Sequence, residues 1–298
     1  VELWNQHRRS FEKRVNYLNS LNLKKLYYKN SKGTEITIGL NDDYLFAGGG
    51  SYLKNGVYNF PNIPTEEIFT SPNKDDVEGI VFSSLPLSYG GNIVDEFYLR
   101  FKDGQVIDFG AKEGYEVLKG IIDSDEGSKR LGEVALIPYH SPINELKTLF
   151  YNTLYDENAS CHMALGIGFS ECIKGGIDMD KKELFEKGVN DSLVHVDFMM
   201  GTEDLMIDGI LEDGRHVKIF ENGNFVFGEP ADESCYNLRD AAQYVQEHFS
   251  GRSDVPNDEV WNYLGEHPVF PTRDYKNKIK DVLKRDFDMK ASRSSMSF

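Results

Sequence analysis

Two residues with the chemistry of a metal site stand two positions apart in an apolar stretch of the chain. His195 and Asp197 lie in the segment DSLVHVDFMMG, which predicts a strand over residues 193–200. Side chains at positions i and i+2 of a strand point to the same face. An unpaired carboxylate buried there would be costly, and a metal ion would remove most of that cost. The alternative is a neutral histidine hydrogen-bonded to an aspartate within an ordinary core.

A second candidate ligand, Glu133, interrupts the apolar strand that is predicted over Leu131–Ile137. A glutamate in that setting needs a metal ion, an arginine or a proton as its partner. Arg130 is near in sequence, but an offset of three positions along a strand points to the opposite face. The alternative is a residue at the end or the edge of the strand that faces water.

Two consecutive glutamates, Glu66 and Glu67, follow a Pro-Thr pair in the segment FPNIPTEEIFTSPN. A strand is predicted over Glu66–Thr70, and consecutive strand residues face opposite sides. Only one of the two glutamates can therefore join a given site. Taken alone, such a pair is typical of solvated surface.

His162 stands among apolar residues in a segment, 158–165, that predicts a helix. An isolated histidine in that setting is usually a structural core residue. Phe169 would follow seven positions later, on the same face if the helix continues. Cys161 beside the histidine could suggest a thiol nucleophile, but adjacent helix residues point about 100° apart, which places the pair poorly for proton transfer.

Composition limits the classes of function. The 298 residues carry 33 Lys+Arg against 49 Asp+Glu, a net charge of −16, whereas a general nucleic-acid binder needs a basic surface. The three cysteines give no disulfide framework and indicate a reducing compartment, so we expect a cytoplasmic protein. No apolar run approaches the roughly 20 residues that cross a bilayer, so no membrane partner is expected.

The pattern along the chain predicts helices at 1–22, 115–124 and 181–187, and short strands between residues 26 and 227. Hairpin turns are predicted at Asp103-Gly104, Asp213-Gly214 and Asn222-Gly223. Composition shifts near residue 228, so the predicted domains are 1–228 and a helical C-terminal extension, 229–298. The Ser-rich end of that extension is expected to be disordered.

Several stretches, in order over roughly residues 10–227, resemble the aminopeptidase T/aminopeptidase S family, also called the thermophilic metalloprotease family. They read RVNYLNSLN, PTEEIFTSP, GSKRLGEVALIPYHSPI, FYNTLYDENASCHMALG, SLVHVDFMMG and IDGI. The resemblance implies an α+β fold, with a strongly twisted, mixed or antiparallel sheet and flanking helices. It also implies a homodimeric metallo-aminopeptidase that acts on peptides with a free N-terminus.

By motif, the resemblance selects five ligands for two divalent metal ions. They are Glu67 of PTEEIF, Glu133 of LGEVAL, His162 of SCHMALG, and His195 and Asp197 of HVDF. The same five residues are awkward for a simple core when each is considered alone. A ligand set of nitrogen and oxygen atoms suits Zn, Co or Mn and does not describe a thiolate site.

The implied reaction is hydrolysis of the first peptide bond by a water molecule activated between two metal ions. Its general base is unassigned, with Glu66 and Glu157 as candidates. Phe169 stands where the family has a functional tyrosine, which favours an alternative: a catalytically impaired relative that binds metal or peptide. Family members usually carry an α/β domain before the matching region, so this chain is expected to be a piece of a longer protein or a processed or trimmed one. Residues 228–298 match nothing in the family.

Overall fold

The computed structural model describes residues 2–53, 56–227, 254–256 and 290–292. The chain divides into two compact units, one formed by Phe11–Val226 and the other by Val1–Ser10 with Phe227–Phe298. The candidate ligands all belong to the first unit, which therefore carries the site.

The helices of the described residues are short apart from the first. They are α1 (Glu2–Ser20), α2 (Tyr115–Ile122), α3 (Pro142–Glu145), α4 (Thr153–Glu157) and α5 (Lys181–Glu186). The helices predicted at 1–22, 115–124 and 181–187 are confirmed by α1, α2 and α5. Helix α5 begins with a capping box, in which the Asp180 side chain accepts from the Glu183 backbone and the Glu183 side chain accepts from the Asp180 backbone.

Strands dominate the unit Phe11–Val226. In chain order they are β1 (Leu23–Lys29), β2 (Glu35–Leu40), β3 (Ala47–Gly48), β4 (Ser51–Tyr52), β5 (Tyr58–Asn59), β6 (Ile68–Thr70), β7 (Pro72–Phe82), β8 (Leu87–Tyr89), β9 (Asn92–Lys102), β10 (Gln105–Glu113), β11 (Leu131–Leu136), β12 (His162–Gly166), β13 (His195–Met199), β14 (Met206–Leu211), β15 (His216–Glu221) and β16 (Asn224–Phe225).

Two antiparallel sheets organise these strands. The large sheet has the order β10-β9-β7-β2-β1-β14-β15-β16, with β8 beside β9, and the small sheet has the order β13-β12-β11-β6-β3. Strands β4 and β5 form a separate pair. Phe97 of β9 contacts Phe198 of β13 across the core, with 5.7 Å between ring centroids. The predicted α+β class with antiparallel sheets and flanking helices is confirmed.

Local turn chemistry sets two of the hairpins. Asp103 and Gly104 join β9 to β10 with φ angles of 49° and 76°, and Asn222 and Gly223 join β15 to β16 with φ angles of 51° and 71°. Positive φ at both central residues is the type I′ geometry, which matches the twist of the strands that it connects. These turns lie where the sequence predicts them.

The helix predicted over 158–165 is wrong. Helix α4 ends at Glu157, and His162 begins β12, a central strand between β11 and β13. Every residue of β12 is buried, so its sequence has no alternation of polar and apolar residues. A short run of this kind cannot be distinguished from a buried helix by periodicity alone. The correction places His162 on the same sheet as the other candidate ligands.

The second unit contains a short parallel ladder between β17 (Asp254–Pro256) and β18 (Lys290–Ser292). The helices predicted within the C-terminal extension, and its Ser-rich end, lie outside the described residues. The division into domains 1–228 and 229–298 stays a prediction. Among the described residues, no helix combines the length and the apolar character that a bilayer crossing requires.

Candidate metal centre

Cross-strand pairing places four of the five candidate ligands on one face of the small sheet. Glu133 of β11 lies opposite Ala164 of β12, which in turn lies opposite Asp197 of β13. Directly paired residues share a face, so the two carboxylates stand on either side of one methyl group. His162 and His195 each lie two positions along a strand from this row and therefore share that face.

Glu67 joins them from the neighbouring strand. In β6, which begins immediately after Glu67, Phe69 lies opposite Ala135 of β11. Glu67 lies two positions before Phe69, and Glu133 lies two positions before Ala135. The side chains of these four residues therefore point to the same face of the small sheet. Of the two consecutive glutamates, Glu67 is the one that lines the cavity there.

That cavity has a volume of about 740 Å³ and contains all five candidate ligands in its lining. Phe69, Phe169 and Ile177 give it an apolar side, and Glu157 and Glu171 add two further carboxyl groups. Among the described residues that line the cavity, none is a lysine or an arginine. The arrangement therefore favours a ligand that brings positive charge.

The His195 ring is held by a backbone carbonyl on one side and faces two carboxylates on the other. Its Nδ1 atom lies 2.8 Å from the Ile167 carbonyl oxygen, so this nitrogen donates. Its Nε2 atom lies 3.0 Å from Glu133 Oε2 and 3.1 Å from Asp197 Oδ1. A carbonyl partner at Nδ1 fixes the tautomer that presents Nε2 as a metal ligand.

His162 has the same arrangement. Its Nδ1 atom lies 3.0 Å from the backbone carbonyl oxygen of Glu157, and its Nε2 atom lies 3.5 Å from Glu67 Oε2. In both imidazoles, Nδ1 is held by a main-chain carbonyl, and Nε2 therefore faces the cavity that the carboxylates line. The nitrogen and oxygen donors fit a divalent metal ion of the Zn, Co or Mn type.

The donor atoms fall into two groups that share one residue. Glu67, Glu133 and His162 have ligand atoms within 4.8 Å of one another, and so do Glu133, His195 and Asp197. Glu133 is fully enclosed in the centre of the sheet and belongs to both groups. A carboxylate with two oxygens in that position can serve two neighbouring cations.

Comparison with known proteins assigns the chain to a family. The profile of the thermophilic metalloprotease family (M29) matches residues 1–225. The chain belongs to the thermophilic metalloprotease family. The membership inferred from its motifs is thereby confirmed.

Named relatives of this metalloprotease-family chain are aminopeptidases. It is 49% identical over 227 residues to aminopeptidase 2 of Geobacillus stearothermophilus and 47% identical over 227 residues to aminopeptidase AmpS of Bacillus subtilis (strain 168). Each alignment covers 76% of this chain and 55% of the relative. The solved structure of wild-type AmpT from Thermus thermophilus matches with a TM-score of 0.72 and 40% identity, over 76% of this chain and 55% of that one. The chain spans about half the length of these relatives.

Burial controls the protonation of this candidate metal centre. It raises the pKa of both Glu67 and Glu133 to about 7, and nearby carboxylates add to the effect. Although burial disfavours an imidazolium, the carboxylates of Asp197 and Glu133 raise the pKa of His195 to about 11. Burial also opposes the charge of Asp197, but the hydrogen bond with His195 holds its pKa below the usual value. Protons thus substitute for cations when no metal is bound.

Phe169 lies in the site, although not on a helix. It follows β12 in a loop, and its ring centroid is 5.0 Å from that of His195 and 5.3 Å from that of Phe69. The sequence points to Phe169 through the family tyrosine alone. It gives no comparable signal for Phe69, whose place on the cavity wall follows from its two-residue offset from Glu67.

The thiol nucleophile considered from the sequence does not suit this geometry. Cys161 precedes β12, and its Sγ lies 3.2 Å from the Ile137 carbonyl oxygen, to which it donates. Burial raises the pKa of the Cys161 thiol to about 12. The side chain belongs to the core of this metalloprotease fold.

Sequence reasoning also missed a residue that holds the loop before β13. The Asp125 carboxylate accepts from the backbone N–H of Leu193 at 2.6 Å and from the hydroxyl of Ser192 at 2.9 Å. It also accepts from the backbone N–H of Ser128 at 2.8 Å. Burial opposes its charge, but these bonds hold the pKa of Asp125 below its usual value. Because His195 follows Leu193 by two residues, Asp125 is a positioning residue for β13.

Proposed function

We propose that this chain carries the catalytic centre of a metallo-aminopeptidase that removes the first residue of peptides with the help of two divalent metal ions, Zn, Co or Mn. The observation that carries the proposal is the position of Glu133 in both groups of donor atoms. The names of the relatives support the reaction class, and the cavity lining supports a cationic substrate end.

The side chains of this chain have separable tasks. Glu67 and His162 would hold one ion, His195 and Asp197 would hold the other, and Glu133 would contribute to both. Ions held there would supply a Lewis acid for the scissile carbonyl and a water molecule that loses its proton near neutral pH. The backbone carbonyls of Ile167 and Glu157 orient the two imidazoles, which keeps Nε2 available.

The first substrate residue would bind against the apolar side of the cavity. Phe69 and Phe169 meet edge to face, and Ile177 lines the cavity beside them. An apolar side chain placed against these rings would be removed from water, which favours binding in proportion to the buried area. Leucyl substrates are therefore suitable probes.

The proposal includes a homodimer in the cytoplasm, which rests on the family resemblance and on the sparse, buried cysteines. Cys161 and Cys172 are both free and buried. Light scattering on the purified chain tests the dimer directly. A monomer at micromolar concentration would remove that part of the proposal without affecting the metal site.

One observation favours a second candidate function. Phe169 offers no hydroxyl at a position in contact with His195, so a relative that binds metal or peptide without turnover is the alternative. A fluorogenic leucyl amide, assayed with added Co²⁺ or Zn²⁺, distinguishes the two functions. Turnover that a chelator abolishes and metal restores supports the aminopeptidase. Stoichiometric metal binding without turnover supports the alternative.

A further inference from the structure

Glu157 lines the cavity but belongs to neither group of metal donors. It is the last residue of α4, and its backbone carbonyl oxygen lies 3.0 Å from Nδ1 of His162. The residue is therefore fixed beside the ligands. Its side chain lines the same cavity as those of Glu67, Glu133 and Asp197.

Among the described residues, no hydrogen bond or ion pair involves the carboxyl group of Glu157, and no lysine or arginine lines the cavity. The His195 ring, which lines the same cavity, is already paired with Glu133 and Asp197. A half-buried carboxylate without a partner is unfavourable. A bound ligand with a cationic group would remove that cost.

The charge balance indicates which ligand does so. Two divalent ions would carry four positive charges, against the three carboxylates of the donor groups, Glu67, Glu133 and Asp197. Glu157 and Glu171 bring the carboxyl groups of the cavity lining to five, which leaves one negative charge in excess. Of these two, Glu171 is exposed and Glu157 is partly buried. A peptide of any sequence has one cation in common with every other peptide, its α-ammonium group.

We propose that the Glu157 carboxylate binds the α-ammonium group of the substrate and so restricts cleavage to the first peptide bond. This inference rests on the proposed aminopeptidase function. An ammonium–carboxylate contact in a partly desolvated cavity forms charge-assisted hydrogen bonds. An acetylated N-terminus has no charge and would leave Glu157 without a partner.

The test compares the metal-loaded full chain with its Glu157→Gln variant, which keeps the size of the side chain and removes its charge. For a leucyl amide we expect KM to rise about 30-fold or more, as for the loss of one partner of a desolvated charge pair. We expect kcat to change little and the metal content to stay the same. The matched control is Glu186→Gln, which removes the charge of an exposed glutamate that pairs with Lys182 at 3.8 Å. It should match the wild type.

A binding measurement keeps the test independent of turnover. Calorimetry should show that the wild type binds leucinamide and rejects N-acetyl-leucinamide, whereas Glu157→Gln no longer distinguishes the two. If the wild type shows no turnover, the proposed function fails, and this measurement still decides the role of Glu157. Glu157→Asp retains the charge and should recover part of the discrimination, which separates charge loss from a folding defect.

Two results would overturn the inference. A fall in kcat at constant KM, together with the loss of one limb of the pH–rate profile, would make Glu157 a general base. Unchanged discrimination between the free and the acetylated amide in Glu157→Gln would leave the residue with a structural role only.

Discussion

The Nε2 atom of His195 lies 3.0 Å from Glu133 Oε2, while Nδ1 of the same ring faces the Ile167 carbonyl at 2.8 Å. Because Nδ1 donates to the carbonyl, the neutral ring directs a lone pair from Nε2 toward the carboxylate oxygen. Two electron pairs at that distance repel each other unless a proton or a metal ion lies between them. Protons and metal ions therefore compete for the position between Nε2 of His195 and Oε2 of Glu133.

Metal removal should make stability depend on pH in a defined direction. The pKa of Glu67 and Glu133 is raised from 4.5 to about 7 in the fold. The stabilisation that protonation gives the metal-free protein is fully present below the pKa of these groups in the unfolded state. It is lost as the pH rises through 7, their pKa in the fold. Bound metal replaces those protons, so the difference in Tm between metal-loaded and chelated protein should increase from about pH 6 to about pH 8.

Thermal unfolding followed by circular dichroism, with zinc or with a chelator at each pH, measures this difference. The Glu67→Gln variant has one of the two titrating carboxyls replaced, so its chelated form should show a weaker dependence on pH. A difference in Tm that is the same at both pH values would contradict the competition between protons and metal.

Replacing Glu133 by Gln should affect both ions. The residue contributes donor atoms to both groups, and an amide offers one oxygen and no charge. We expect the metal content to fall from two ions to one or none and the activity to fall more than about 100-fold, since even residues that only support ligands cost 10–100-fold. Elemental analysis of the dialysed protein measures the first effect. Glu113→Gln, at an exposed position of β10, is the control.

Replacing Phe169 by Tyr should raise kcat. The ring lies between Phe69 and His195, with centroid distances of 5.3 Å and 5.0 Å, so a hydroxyl at its tip extends from a ring that is already fixed in the site. One preorganised hydrogen-bond donor is worth up to roughly 10²–10³ in kcat, and we expect a gain of about tenfold or more. Steady-state kinetics with a leucyl amide measures it.

The control for this exchange is Phe185→Tyr, which adds the same hydroxyl to a half-exposed ring outside the cavity. It should leave kcat unchanged. A Phe169→Tyr variant with wild-type kcat would show that another group already fulfils the role of the family tyrosine.

Replacing Asp125 by Ala should weaken the metal site from a distance. The carboxylate holds the backbone N–H of Leu193 and the hydroxyl of Ser192, just before β13. Loss of these hydrogen bonds should lower the free energy of unfolding by about 1–3 kcal/mol and weaken metal binding. Because the pKa of Asp125 is lowered in the fold, its contribution is present at neutral pH and is lost as the pH falls through the folded value.

Urea unfolding at neutral and at acidic pH, together with metal titration, measures both effects of Asp125→Ala. Asp42→Ala is the matched control, because Asp42 is an exposed aspartate that pairs with Lys24 on the surface at 2.7 Å. Equal stability of Asp125→Ala and the wild type at neutral pH would remove the positioning role.

The sequence by itself determined those features that depend on local chemistry. The two-residue step between His195 and Asp197 assigns both side chains to one face of a strand. A glutamate inside the apolar run LGEVAL indicates a buried charge that needs a partner. The turns at Asp103-Gly104 and Asn222-Gly223 follow from residues that accept positive φ. Each of these inferences uses neighbours in the chain, and each agrees with the fold.

The tertiary structure alone decided what depends on pairing between distant strands. The strand that begins with His162 is hidden in the sequence because both faces of β12 are buried, which removes the alternation that would reveal it. Glu133 and Asp197 flank Ala164 only because β11, β12 and β13 adopt one particular register. Glu157 and Asp125 act on the site through contacts that no periodicity encodes. Periodicity fixes the face on which a side chain lies, and non-local pairing fixes its neighbours.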